Sequence, residues 1–215
     1  MEKPDASGLD ETLRRAAAGD DAAWRSLLDR DHARLRRMVA LRLDARLQGR
    51  VDPSDVLQEA YLDAATQLAE YLREPKVPFY LWLRSLTATR LAKAHRAHLT
   101  TQARDAGREV SIYRGGLHQA SSAALAAQLL GHEPRPSEVA LRAELKLRLE
   151  EALNGMDPVD REVLALRHFE RLSTAETACL LGISEAAAGK RFIRALRRLR
   201  EILSKVPGGA ESLLP

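Results

Sequence analysis

The chain has 215 residues, 45% of them hydrophobic and 4% aromatic, with a formal net charge of +4. That is long enough for one or two domains with real cores, and too apolar for a disordered chain. A single cysteine, Cys179, excludes an intramolecular disulfide and a cysteine-based metal site.

The histidines are scattered; His95 and His98 could share a helix face, but no third ligand lies near, so solvated surface histidines are expected rather than a metal site. The opening MEKPDASG lacks the apolar core of a signal peptide, and the longest apolar run, AALAAQLLG, is too short to span a bilayer. A cytosolic protein without membrane insertion is expected.

The chain is rich in Ala, Leu, Arg and Glu, all helix formers, and no stretch alternates polar residues with β-branched ones. The expected fold class is all-α: two helical domains joined by a flexible linker, the C-terminal one containing a helix-turn-helix. In chain order, DDAAWRSLLDRDHARLRRMVALRL spaces Trp24, Leu27, Leu28, Leu35, Met38, Val39 and Leu43 as one helical stripe. In DPSDVLQEAYLDAATQLAEYL, Asp52 can cap and Pro53 suits a first turn. Val56, Leu57, Ala60, Tyr61, Ala64 and Leu68 make its buried face. REPKVP breaks that helix, and FYLWLRSLTATRLAKAHRAHL forms the next. From 105 to 136 Gly, Ser and Pro cluster and periodicity fades, save for a short helix at 122–130. This linker predicts two blocks that are largely independent in the free protein. Ser137 then caps EVALRAELKLRLEEAL, and Asp157 with Pro158 opens DPVDREVLALRHF. The domains expected are 1–104, a linker 105–136, 137–206, and a tail 207–215.

Charge is unevenly spread. Residues 52–74 carry −5, whereas 84–108 and 185–205 carry +5 each. Two separated basic segments suggest two places of contact with a polyanion. Solvated helix faces, which is how most charge runs end, are the other reading, and composition alone slightly favours them.

The stretch 172–203, LSTAETACLLGISEAAAGKRFIRALRRLREIL, carries the clearest local signal. Ser173 and Glu176 form a capping box, and Ala178 is small where two helices must approach. Gly182 falls where a left-handed residue is needed, Ile183 can plug the corner, and Ser184 caps a basic second helix. A helix-turn-helix requires this order, although an ordinary helical hairpin would also satisfy it.

A longer stretch, LNGMDPVDREVLALRHFERLSTAETACLLGISEAAAGKRFIRALRRLREIL, resembles the C-terminal promoter-binding region of bacterial sigma-70-type factors. DVLQEAYLDA at 55–64 resembles that family's polymerase-binding helix. FYLWLRSLTATRLA at 79–92 resembles its melting and recognition helix. Their order and spacing, without an intermediate domain, are similar to the extracytoplasmic-function group, over about residues 20–100 and 137–204.

The resemblance implies a protein that binds core RNA polymerase, positions it at promoter DNA and captures melted DNA, with no cofactor and no catalysis. An anti-sigma factor is a further partner it allows. No nucleophile elbow, Gly-rich phosphate loop or carboxylate cluster at metal spacing competes with that reading. By the same resemblance, Asp55, Gln58 and Glu59 on the acidic helix meet polymerase. The downstream promoter element meets Tyr71, near an aromatic position of the family's base pocket, and Thr89, where the family often has Asn. Arg90, Lys93 and Arg96 would track phosphates there, while Phe79 and Trp82 are expected in the core. Lys93 departs from a common acid, and EPKVP is richer in proline than the usual loop.

The upstream element meets the last helix through Ser184, Glu185, Ala186, Gly189, Lys190, Arg191, Arg194 and Arg197. Ala186, Ala187 and Gly189 would let the backbone approach the groove, Glu185, Lys190 and Arg191 would read bases, and Arg194, Arg197 and Arg198 would hold phosphates. Gly189 costs about 1 kcal/mol in a helix interior, which close approach would explain. Ala188 and Thr177 stand where the family prefers larger aliphatics, which predicts a looser corner. The alternatives are a helix-turn-helix regulator acting without core polymerase, and a scaffold that binds polymerase or another sigma factor without touching DNA.

Overall fold

Short polar side chains set where the helices of the first block begin. Asp20 accepts from the N–H groups of Ala22 and Ala23 at 3.0 Å each and starts α2 (Asp21–Arg42). Asp52 accepts from Ser54 N–H at 2.7 Å and starts α3 (Pro53–Arg73), with Pro53 in the first turn as expected. The computed structural model describes residues 6–99, 119–131 and 139–204. The Ser137 cap, most of the 105–136 linker and the 207–215 tail lie outside the described residues.

Among the described residues every regular element is helical. α1 (Ala6–Ala17) precedes α2, a short 3-10 turn (Ala45–Leu47) follows it, and α4 (Phe79–Leu99) comes after α3. The second block holds α5 (Ser122–Leu130), α6 (Val139–Asn154), α7 (Pro158–Leu164), α8 (Thr174–Leu181) and α9 (Glu185–Leu203). The helix expected at 122–130 is α5, and the span expected for the long basic helix at 79–99 is that of α4. Sequence reading missed α1, whose Leu13 is buried in the first core with Leu9 and Ala16 against it. Within DPVDREVLALRHF, α7 passes at Ala165–Phe169 into a π turn, closed by Glu170 N–H on Ala165 C=O at 3.0 Å. Arg171 then takes φ 55°, a left-handed conformation uncommon without glycine.

Two cores result. Leu27, Leu35, Met38, Leu57, Leu83 and Leu91 fill the first. Leu125, Leu149, Leu153, Leu164, Ala195 and Leu199 fill the second. Each borrows from the other half of the chain. Leu41 of α2 is fully buried in the second core, and Leu166 and Leu172 are buried in the first.

The expected independence of the two blocks is therefore corrected. Arg42 and Arg84 of the first block enclose Glu170 of the second, all with buried side chains. Ser121 N–H donates to Leu41 C=O at 2.9 Å, fastening the start of α5 to the end of α2. The expected surface histidine is also corrected at His95, which is buried and accepts from Asp44 N–H at 3.3 Å.

Candidate nucleic-acid interface

The corner between α8 and α9 is built from local chemistry. Ser173 Oγ accepts from Glu176 N–H at 3.1 Å, and Ser173 N–H donates to the Glu176 carboxylate at 2.7 Å, completing the capping box. Gly182 closes α8 at φ 65°, ψ 33°, and Ile183 N–H donates back to Ala178 C=O at 3.1 Å. Ser184 Oγ accepts from Ala187 N–H at 3.2 Å and opens α9. Ala178, Thr177 and Ala188 are all buried at this corner, so the small residues do not leave it open to solvent.

One face of α9 is inward, through Ala188, Ala195 and Leu199. Glu185, Ala186, Lys190, Ile193 and Arg197 stand exposed on the other. A Cβ added at Gly189 would meet nothing within 4 Å, so no close neighbour inside the protein requires glycine there.

Arg191 and Arg194 are engaged within the protein. Asp160, near the start of α7, accepts from Arg191 at 2.6 Å and from Arg194 Nε at 2.6 Å. Burial pushes the Asp160 carboxyl up, but hydrogen bonds from Arg194 and Arg191 outweigh it and hold the pKa below the usual aspartate value. Sequence reading did not single out Ile193, which is 56% exposed in the middle of the cationic face. Its position one turn beyond Gly189 and two beyond Ala186 was the available signal.

On the first block, Asp55, Gln58 and Glu59 are exposed on one side of α3. Leu62, also missed, is 69% exposed one turn further along the same side. On α4, Arg90 grips Asp63 bidentately and reaches Glu59 at 3.0 Å. The hydrogen bonds from Arg90 hold the Asp63 carboxyl below its ordinary value. Lys93 and Arg96 are exposed further along α4, and the exposed Thr89 hydroxyl donates to Ser85 C=O at 3.0 Å.

Tyr71 stacks on Trp82, with centroids 4.6 Å apart and planes at 23°, and its hydroxyl donates to Val77 C=O at 2.9 Å. Phe79 is buried edge-on against Tyr71, as a core residue should be, while Trp82 keeps part of its surface open. The break between α3 and α4 is thus pinned by an aromatic platform.

Among the described residues, no group of three His, Cys, Asp or Glu could hold a metal ion, and no helix is long and apolar enough to cross a membrane.

A capped helix pair with a cationic outer face, beside a block that presents an acidic helix and an aromatic–basic one, defines a helix-turn-helix DNA-binding protein with a second interaction block. Residues 146–199 match the family described as Sigma-70, region 4. The chain is 30% identical over 193 residues to the ECF RNA polymerase sigma factor SigD of Mycobacterium tuberculosis, covering 90% of this chain and 82% of SigD. It is also 30% identical over 192 residues to the RNA polymerase sigma factor CnrH of Cupriavidus metallidurans, covering 88% of this chain and 91% of CnrH. A solved structure of CnrH in complex with the cytosolic domain of CnrY has the same fold, with a TM-score of 0.52 and 22% identity over 91% of this chain and 97% of that one. The chain belongs to the extracytoplasmic-function RNA polymerase sigma factors of the sigma-70 family.

Proposed function

We infer that the protein binds core RNA polymerase and directs it to particular promoters, acting in the cytoplasm as a binding factor and not as an enzyme. The observation that carries this is the match to sigma factors over both blocks, not over the helix-turn-helix alone. A regulator acting without polymerase would not need the first block.

In this reading α3 meets polymerase through Asp55, Gln58 and Glu59, with exposed Leu62 as an apolar anchor among them. Tyr71 and Trp82 offer a stacking surface for an unpaired base of the downstream element, with Thr89, Lys93 and Arg96 beside the strand. Arg90 joins them when it leaves its carboxylates. At the upstream element α9 enters the groove along Ala186 and Gly189. Glu185 and Lys190 reach base edges, Ile193 meets thymine methyl groups or sugars, and Arg197 takes a phosphate, with Ser184 at the helix start. Arg191 and Arg194 fix the angle of α9 on α7 through Asp160 and reach DNA only in part. CnrH is found with the cytosolic domain of CnrY, and an anti-sigma factor of its own is a partner proposed for this chain.

The test is capture of core polymerase by the purified protein, followed by run-off transcription on genomic fragments. Defined transcripts that need both components are expected. DNA binding without any association with core would favour the lone regulator, and core binding without transcripts would favour the scaffold.

A further inference from the structure

Beyond the aromatic platform, the open face of α4 carries two hydroxyls. Trp82, Ser85 and Thr89 are spaced by three and then four residues, so they fall on one stripe of the helix. Ser85 lies one turn past the indole and Thr89 two. Both are exposed, and Trp82 keeps part of its surface open. Arg90 is turned away from this stripe, towards Asp63 and Glu59 of α3. Lys93 follows Trp82 by eleven residues, about 16 Å along the axis. The side chains next to a base stacked on Trp82 are therefore the two hydroxyls before the cations.

The proton of each hydroxyl is already in use. Ser85 Oγ donates to Trp82 C=O at 2.7 Å, and Thr89 Oγ1 donates to Ser85 C=O at 3.0 Å. Tyr71, the other half of the platform, donates its hydroxyl to Val77 C=O at 2.9 Å. A hydroxyl has one hydrogen to give and two lone pairs to offer. Ser85 and Thr89 thus turn lone pairs to solvent, and Tyr71 adds no free O–H. An amino group that arrives here is accepted with no bond broken. A carbonyl is received only if a hydroxyl first gives up its bond to the helix. The bases differ at just this point: adenine and cytosine carry an exocyclic amino group where guanine and thymine carry a carbonyl oxygen.

We propose that Ser85 and Thr89 determine base choice beside the Tyr71–Trp82 platform, selecting an unpaired base with an exocyclic amino group, adenine or cytosine, over thymine and guanine. This rests on the sigma-factor reading above, which brings a melted strand to that platform.

The experiment uses holoenzyme, the full chain bound to core polymerase, and forked promoter DNA whose melted downstream element carries each base in turn at each position. Adenine and cytosine should bind about two- to tenfold better than thymine and guanine at one or two positions, the range that one net hydrogen bond supplies. Replacing adenine there by 2-aminopurine, which still stacks but lacks the amino group at that edge, should remove the preference. Ser85→Ala combined with Thr89→Val should bring adenine and cytosine down to the level of the other two bases. Thr89→Asn adds an amide donor and should narrow the gap by admitting carbonyls. The 2-aminopurine arm needs no variant, so it decides even if a substitution disturbs folding. Equal binding of all four bases at every melted position overturns the proposal. So does a preference that survives 2-aminopurine or the double variant. A chain that forms no holoenzyme, or a holoenzyme that holds no melted strand, overturns the sigma-factor reading and this one with it. A strand held without the preference overturns this one alone.

Discussion

Arg90 of α4 donates to Glu59 of α3 at 3.0 Å, so a residue expected at DNA and a residue expected at polymerase share one ion pair. Arg90 binds Asp63 in the same fork, and that second carboxylate keeps it in place if Glu59 is taken up by a partner. The acidic and basic faces of the first block are therefore neighbours, and substitutions on one will be felt on the other.

Asp55→Lys should weaken binding to core polymerase several-fold while leaving thermal stability nearly unchanged, because an exposed charge contributes only about 0–1 kcal/mol. Glu59→Lys should weaken it too and should also loosen Arg90. Titration of labelled protein with core, beside a melting curve, separates the two. Wild-type affinity in the Asp55→Lys, Glu59→Lys double variant would remove α3 from the interface.

On α9, Lys190→Ala should relax preference at one promoter position, losing about 1–3 kcal/mol of discrimination. Arg197→Ala should weaken all sequences alike and lower the salt dependence by about one counterion. The first carbon of a side chain at Gly189 meets open space inside the protein, so Gly189→Leu should fold normally and lose binding at the DNA. Gly189→Ala should stabilise the free protein by roughly 0.5–1 kcal/mol and still bind promoter less well. Binding of holoenzyme to a promoter library at several salt concentrations reads all four. Full, equally selective binding by Gly189→Leu would show that the small residues do not serve close approach.

Asp160→Asn should do the opposite of an arginine deletion. It releases Arg191 and Arg194 from their carboxylate, so non-specific binding should strengthen and become steeper in salt by about one to two counterions. Selectivity between promoters should fall as α9 loses its tether to α7. An unchanged salt slope would mean that neither guanidinium can reach a phosphate.

Trp82→Ala should cost about 1–3 kcal/mol in the melted promoter complex if a base stacks on the Tyr71–Trp82 platform. Tyr71→Phe keeps the ring but drops the bond to Val77 C=O, and should have a smaller effect through the loop. Permanganate reactivity of promoter thymines follows the melted state; normal reactivity with Trp82→Ala would exclude the platform.

Acid should loosen the contact between the blocks. Burial pushes the Glu170 carboxyl up, and the charges of Arg42 and Arg84 more than offset this, holding its pKa below the usual glutamate value of 4.5. Glu162, Glu176, Asp31, Arg34 and Tyr80 also lie close to this contact. A carboxyl with a lower pKa in the folded protein binds fewer protons there than in the unfolded chain. The stability this group contributes is thus fully present above pH 4.5 and is lost as pH falls from there through the depressed value. Melting curves should shift down over that range and recover on neutralisation. Glu170→Gln should lose this component of the acid dependence, although Asp63 and Asp160 still titrate.

What was legible in the sequence is what neighbours along the chain decide. The Ser173–Glu176 box, the Gly182 turn and the Asp52–Pro53 and Asp157–Pro158 starts involve residues within four positions of each other, and each is found where expected. The contact between the blocks was not legible. Arg42 and Glu162 stand 120 positions apart, and on a basic helix nothing marks one arginine as buried. For the same reason Arg191 and Arg194 read as DNA contacts, since their partner Asp160 reads as part of a helix start. The π turn escaped because ALRHF has ordinary helical composition; in the structure it goes with the burial of Leu166 and Leu172 in the other core.

Leu41 has a further consequence, for the order in which the protein can be made. It lies on α2 yet is completely buried in a core of residues from α5, α6, α7 and α9, and a leucine so placed contributes roughly 1.5–3 kcal/mol. A ribosome delivers α2 long before α7 or α9 exists. The nascent chain therefore carries Leu41 without its pocket, and a first core still lacking Leu166 and Leu172, until α7 and the residues after it have been made. Neither half reaches its final packing before the other arrives.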